Sequence, residues 1–200
     1  MKIPKSALPF INLQRSGYDD EEEEFQEHIG REFEEMKPYL PDECGSIIDI
    51  GCGLCGIDFY FSKKYQDVKL FLVDKNKIDK NIHYNFHQDG SFYNSFEVAK
   101  EFLDLNGIGN YQFIESEKSE DIPDIGNQDL IVSLLSCGYH YPVEKYINAI
   151  NRFLSDNGIL ILDIRDYKYD SEIEVIKKIL PVIQIISNYN KSFRICARRK

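Results

Sequence analysis

The sequence predicts an α/β domain built on a mostly parallel sheet, and three observations lead there. Five short apolar segments rich in β-branched residues alternate with helical patterns, and their continuous apolar character suits strands buried on both faces. The first of them runs into a glycine-rich turn that opens a helix. The last two apolar segments are separated only by "YNK", too short for a helical crossover, so at least one terminal strand runs antiparallel.

Taken in order, residues 1–18 read as irregular, with prolines at 4 and 9. Residues 19–38 read as a helix capped by Asp19 and Asp20 and ended by Pro38 and Pro41, with Phe25, Ile29, Phe33 and Met36 on one apolar face. "SIIDI" is the first strand and "VKLFLVD" the second, with a helix over 57–65 between them. The polar and aromatic segment "KNKIDKNIHYNFHQDGSFYN" precedes a helix over 95–105 that stops at Asn106-Gly107. "NYQFIE", "DLIVSLLS" and "GILILDI" are strands three to five, with a helix over 143–154 before the fifth. "SEIEVIKKI" is the last helix, and "VIQIISN" and "SFRICAR" form the terminal hairpin. No internal repeat or linker divides the chain. It is expected to be one domain, with an N-terminal helical extension or lid over 1–42 and the core over 43–200.

Composition narrows the function. The chain has 200 residues and a formal net charge of −10, which argues against a protein that tracks nucleic-acid phosphates. Much of that charge lies in "DDEEEEFQEHIGREFEE", read as a solvated helix face, with ligand gating as the other reading. The basic residues of "RICARRK" read as a solvated C-terminal end. No apolar run reaches membrane-spanning length and no signal peptide is read, so a cytoplasmic location and no membrane partner are expected. The five cysteines, an odd number, suit reduced thiols.

The stretch "DIGCGLCG" carries the chemistry. Gly51, Gly53 and Gly56 have G-x-G-x-x-G spacing, and Cys52 and Cys55 have C-x-x-C spacing. No second cysteine or histidine pair completes a four-ligand set, so no metal is expected there. Glycines between a strand and a helix let a ligand approach bare backbone near the positive end of the helix. Asp74, 23 residues after Gly51, ends the second strand, where an acid can take both hydroxyls of a ribose. This pattern fits either NAD or S-adenosylmethionine. Asp49 tips the choice, because a carboxylate there is awkward beside a pyrophosphate and useful beside an amino group. The long segment before the first strand and the terminal hairpin point the same way.

With these residues in place, the chain resembles a class I S-adenosylmethionine-dependent methyltransferase. "DIGCGLCG", the acid in "LFLVDKN", "DLIVSLLS" and "LSDNGILILDIRD" match that family in order and spacing over residues 40–200. The resemblance implies a Rossmann-like seven-stranded sheet in the order 3-2-1-4-5-7-6, strand seven antiparallel, with helices on both faces. It implies that Gly51, Gly53 and Gly56 shape a loop around the methionine part of S-adenosylmethionine, that Asp49 meets its amino end and that Asp74 holds the ribose. The Lys75 backbone would lie near the adenine, and the backbone of Leu135 and Ser136 would pass beneath the cofactor. The resemblance also implies an acidic or polar residue after the third strand at the adenine amino group; Glu115, Ser116 and Glu117 are the candidates, and we assign that contact to Glu117.

Methyl transfer is an in-line displacement that needs a positioned nucleophile and, for a hydroxyl, a base. His140 in "SLLSCGYHYP", after the fourth strand, is read as that base, or as a histidine that orients substrate or is inert. Tyr18, His83, His87, Tyr139, Tyr141 and Arg165 are read as acceptor-binding residues, Arg165 for an anionic group. Asp163 and Asp166 are the nearest acids for a metal, with a structural role favoured for Asp163. Ser136 and Cys137 depart from the Asn/Asp-Pro-Pro-Tyr pattern of many N-methyltransferases of adenine, cytosine and glutamine. A looser resemblance, carried by "SFYNSFEVAKEFLDLNGI" and "SCGYHYP", is to small bacterial or phage sugar O-methyltransferases. The expected activity is methyl transfer to a hydroxyl of a small polar acceptor, such as a sugar. The alternatives are an N-methyltransferase, an NAD-dependent oxidoreductase and a non-catalytic nucleotide-binding protein.

Overall fold

Side-chain alternation along the buried strands decides the architecture. In a computed structural model, which describes residues 1–14, 21–79, 86, 94–189 and 191–200, the apolar segments pair into one seven-stranded sheet of order 3-2-1-4-5-7-6. The strands are β1 (Ser46–Ile50), β2 (Lys69–Asp74), β3 (Tyr111–Glu115), β4 (Gln128–Ser133), β5 (Leu154–Arg165), β6 (Val182–Tyr189) and β7 (Ser192–Arg198). Strands β1 to β5 are parallel, and β7 runs antiparallel to both β5 and β6.

Successive strand residues point to opposite faces, so each strand feeds two cores. Ile47, Leu70, Leu72, Leu130, Val132 and Ile161 face one side. There they meet α1 (Leu8–Gln14), α2 (Glu21–Met36), α3 (Gly56–Lys64) and α4 (Phe96–Leu105). Ile48, Ile50, Phe71, Val73, Ile131 and Leu162 face the other side and meet α5 (Ile147–Phe153) and α6 (Tyr169–Lys177). Each such fully buried aliphatic side chain contributes about 1.5–3 kcal/mol of hydrophobic stabilisation.

Four readings of the sequence need correction. Residues 1–14 are not irregular: a 3-10 turn over Lys5–Ala7 leads into α1. Pro9 falls in the first helical turn, where its missing N–H has no intrahelical partner to lose, and Ala7 and Ile11, one turn apart, are buried. The helix read over 143–154 is a 3-10 turn, Val143–Lys145, followed by α5. Strand β5 starts at Leu154, ahead of Asn157-Gly158, because Leu154 pairs with Gln128 and the register then shifts before Leu130. The C-terminal basic run is not wholly solvated, since Arg194 is 6% exposed.

The acidic helix α2 buries Phe25, Ile29, Phe33 and Met36 as the spacing requires. It also buries Glu32, which accepts a hydrogen bond from Arg194 Nη2 at 3.2 Å. Arg194 in turn forks onto Asp163, Nε to Oδ1 at 2.7 Å and Nη2 to Oδ2 at 2.8 Å. This ion cluster joins α2 to β5 and β7. Among the described residues no helix is long and apolar enough to cross a membrane.

Candidate active site

The carboxyl ends of β1, β2 and β4 meet where the strand order reverses, the place where open α/β sheets bind ligands. The β1–α3 loop is tied to the end of β2. Gly51 N and Cys52 N donate to Val73 O at 2.7 and 3.3 Å, and Gly53 N donates to Asp74 Oδ2 at 2.9 Å. Gly51 has φ +79°, and a Cβ there would lie 2.0 Å from Ser136 Oγ. The glycine is therefore what lets the β1 and β4 loops touch. Gly56 answers a different need: its Cβ would meet Phe25 Cζ at 2.9 Å, so its smallness seats α2 on α3. The loop's two thiols are buried, and among the described residues no group of three or more His, Cys, Asp or Glu side chains is placed to hold a metal.

Asp74 accepts from Gly53 N, from Lys75 N at 2.7 Å and from Asn94 Nδ2 at 3.0 Å. Burial still outweighs these bonds and pushes its carboxyl up to about 6. Beyond it, Lys75 pairs with Glu117, while Ser116 is buried and bonded to Tyr146. Of the three residues proposed by sequence for the adenine, Glu117 is thus the one beside Lys75.

The loop after β4 is held from four sides. Ser133 Oγ donates to Ile50 O at 2.6 Å and accepts from Cys137 N at 2.9 Å. Leu135, at φ +52°, donates its N–H to Asp163 Oδ2 at 3.2 Å. Ser136 Oγ lies 2.8 Å from Tyr141 Oη, and Arg165 N donates to Gly138 O at 3.0 Å. On this frame Arg165, Tyr139 and His140 form a stack. The guanidinium sits 3.6 Å above the Tyr139 ring, and the His140 ring meets Tyr139 edge-on at 4.9 Å. Tyr141, by contrast, is buried against Tyr146, so its hydroxyl braces Ser136. Asp163 is committed to Arg194 and Leu135, and Asp166 is exposed. Tyr18, His83 and His87 lie outside the described residues.

No family model matches the chain, and no curated protein does. Solved structures do. A precorrin-6y C5,15-methyltransferase from Geobacter metallireducens GS-15 aligns with TM-score 0.63 at 16% identity, over 86% of this chain and 89% of that one. The chain has the fold of class I methyltransferases. A 16S rRNA methyltransferase from T. thermophilus, solved with AdoMet and guanosine, aligns with TM-score 0.61 at 14% identity, over 93% of this chain and 45% of that one. Coclaurine N-methyltransferase, bound to N-methylheliamine and SAH, aligns with TM-score 0.52 at 18% identity, over 82% of this chain and 44% of that one. The methyltransferase fold here thus spans about half the length of the last two.

The sequence reading missed Asp58 and Asn94. Asp58 lies in the first turn of α3, is 0% exposed, and faces Asp49, which is 3% exposed at the end of β1. Burial, then the Asp58 charge, pushes the Asp49 carboxyl well up, and burial pushes Asp58 up to about 7. A carboxyl with a folded pKa above its unfolded value of about 3.9 favours folding below that value. The advantage is lost as pH rises through the folded value. For Asp74 and Asp58 that window runs from about 4 to about 7. Each proton so held changes stability by about 1.4 kcal/mol per pH unit. The thermal midpoint of the free protein is therefore expected to be higher at pH 6 than at pH 8, and Asp58→Asn should shrink the difference. An unchanged difference in that variant would refute the assignment.

Proposed function

We propose that the protein is an S-adenosylmethionine-dependent methyltransferase that methylates a hydroxyl of a small polar acceptor, of the sugar class. The observation that carries the cofactor is the charge of the site. Asp49, Asp58 and Asp74 lie around the glycine loop. Buried carboxyls repel a pyrophosphate and attract a ligand bearing an ammonium and a sulfonium. The residues present therefore fit S-adenosylmethionine better than NAD.

When bound, S-adenosylmethionine supplies an electrophilic methyl group. The chain would hold it with Asp49 toward the amino end, Asp74 at the ribose hydroxyls, and Lys75 and Glu117 at the adenine edge. The Leu135–Ser136 backbone would run beneath it, kept in place by Asp163 and Tyr141. Arg165 and Tyr139 would orient the acceptor, with the guanidinium suited to an anionic group on it. His140 would take the hydroxyl proton as the bond to carbon forms. The described parts of the segment over 1–42 would then cover the cofactor. Ala7 and Ile11 pack into the same core as α2, which anchors it.

Two measurements test this reading. Calorimetric titration should show saturable binding of S-adenosylmethionine and S-adenosylhomocysteine and none of NAD; the reverse pattern would overturn it. In an assay of S-adenosylhomocysteine release with a panel of sugars and nucleotide sugars, His140→Ala should lower kcat by about 10²–10⁴. Cofactor affinity should stay unchanged. Full turnover in that variant across the pH range would remove His140 as the base.

A further inference from the structure

Beneath the glycine loop two carboxyls meet, and among the described residues no cation pairs with them. Asp49 comes from β1, where it pairs in register with Leu72 and Val132. Asp58 comes from the first turn of α3. The two side chains are hydrogen-bonding neighbours. Yet among the described residues neither Asp58 oxygen receives a well-formed hydrogen bond from an N–H or O–H. Contact between two carboxylates is repulsive, and it becomes a hydrogen bond only when one of them carries a proton.

The other groups around the pair increase its demand for positive charge. Asp74 faces it from β2 and Glu32 from α2, both raising the pKa of Asp49. Cys52 and Cys55 adjoin it from the loop, and the same burial and acidic neighbours push both thiols up, so they stay neutral. Arg194, the cation that meets Glu32, is engaged by Asp163 and Glu32. Among the described residues the pair therefore has no counter-ion, and it sits where the cofactor's amino end is proposed to lie.

We propose that Asp49 and Asp58 share one proton in the free protein and release it to solvent when the cationic methionine end of S-adenosylmethionine binds. The inference rests on the methyltransferase reading. Asp58 is then a positioning residue that acts on the cofactor through Asp49. The balance is simple: one carboxyl O–H gives its proton to buffer, and the ligand's ammonium and sulfonium take over the compensation of the carboxylates. Binding that releases a proton strengthens as pH rises, for as long as the free pair holds that proton. Macroscopic titration belongs to the pair, not to either residue alone.

The test is calorimetric titration of the full chain with S-adenosylmethionine at pH 6.5, in two buffers of unlike ionisation enthalpy. At that pH the ligand's α-amino group, with a usual pKa of about 7.7–8.0, is already charged and contributes little to the proton count. About one proton should be released per cofactor bound. The infrared band of a protonated carboxyl in the free protein should disappear on binding. Asp58→Asn should bind with release close to zero and should lack the band. If that variant does not fold, the unaltered protein still decides the matter: its Kd should fall by about tenfold from pH 5.5 to 6.5. Binding with no proton release and a flat Kd sinks the proposal while leaving the methyltransferase reading intact. Equal release by Asp58→Asn also sinks it. No saturable binding at any pH overturns both.

Discussion

Arg194→Met should lower the unfolding free energy by about 3–5 kcal/mol, as removal of one partner from a buried ion cluster does. The side chain lost is 6% exposed and forks onto Asp163 at 2.7 and 2.8 Å. It also reaches Glu32 at 3.2 Å and Glu35 at 3.6 Å. Methionine fills much of the space but removes the guanidinium charge from Asp163 and Glu32, which keep only weaker partners such as Leu135 N on Asp163 and His28 on Glu32. Desolvation pushes the Asp163 carboxyl up and the guanidinium pulls it back, so without Arg194 it would hold its proton to higher pH. The stability deficit should therefore narrow as pH falls. The double variant Arg194→Met/Asp163→Asn should recover part of the loss, since the amide needs no counter-ion and its oxygen can still accept from Leu135 N. Urea unfolding at pH 7.5 and pH 5.5 measures all of this. A deficit below about 1 kcal/mol for Arg194→Met would show that the cluster contributes little, as surface pairs do.

Gly51→Ala should disable the proposed cofactor site more completely than any charge change around it. A methyl group there meets Ser136 Oγ at 2.0 Å and Ser136 Cβ at 2.4 Å, and the backbone is at φ +79°. Left-handed backbone costs a non-glycine residue about 1–2 kcal/mol, and overpacking adds about 1–3 kcal/mol. The β4 loop cannot retreat cheaply, because Ser133, Asp163, Tyr141 and Arg165 hold it. A loss of at least 100-fold in S-adenosylmethionine affinity is expected, a factor that corresponds to about 2.7 kcal/mol. Ser136→Gly placed in the same chain removes the clash but not the backbone strain. The double variant should recover part of the affinity, whereas Ser136→Gly alone, which loses the Tyr141 brace, should weaken it far less than Gly51→Ala does. Wild-type affinity in Gly51→Ala would mean that the two loops do not meet as described.

Much of the fold was legible because its strands are apolar on both faces and its turns carry glycine at the required places. The five-strand alternation and the terminal hairpin needed only local pattern. Helix α1 was not legible, because prolines at 4 and 9 read as breakers until the chain direction showed Pro9 in a first turn. The start of β5 was missed because Asn157-Gly158 is a turn signal in sequence but a register shift in the sheet. Glu32 was hidden inside an acidic run whose average character is that of a solvated surface. Its spacing from Ile29 and Met36 was the available signal, since it puts one acid on the apolar stripe.

The site divides in the same way. Gly51, Gly53, Asp49 and Asp74 are singled out as candidates by type and spacing, and the structure brings the glycine loop against Asp74; His140 is singled out only as a candidate base. Asp58 gave no such sign, because an acid in a first helical turn is ordinary dipole chemistry. Which charges lie together was decided only by the tertiary structure. Placing β7 beside β5 and laying α2 across that face brings Glu32, Asp163 and Arg194 into one dry cluster, and closing α3 onto β1 sets Asp58 against Asp49. Sequence determines which side chains can be charged. The packing determines which of them lose water, and only a charge that has lost water must find a partner or a proton.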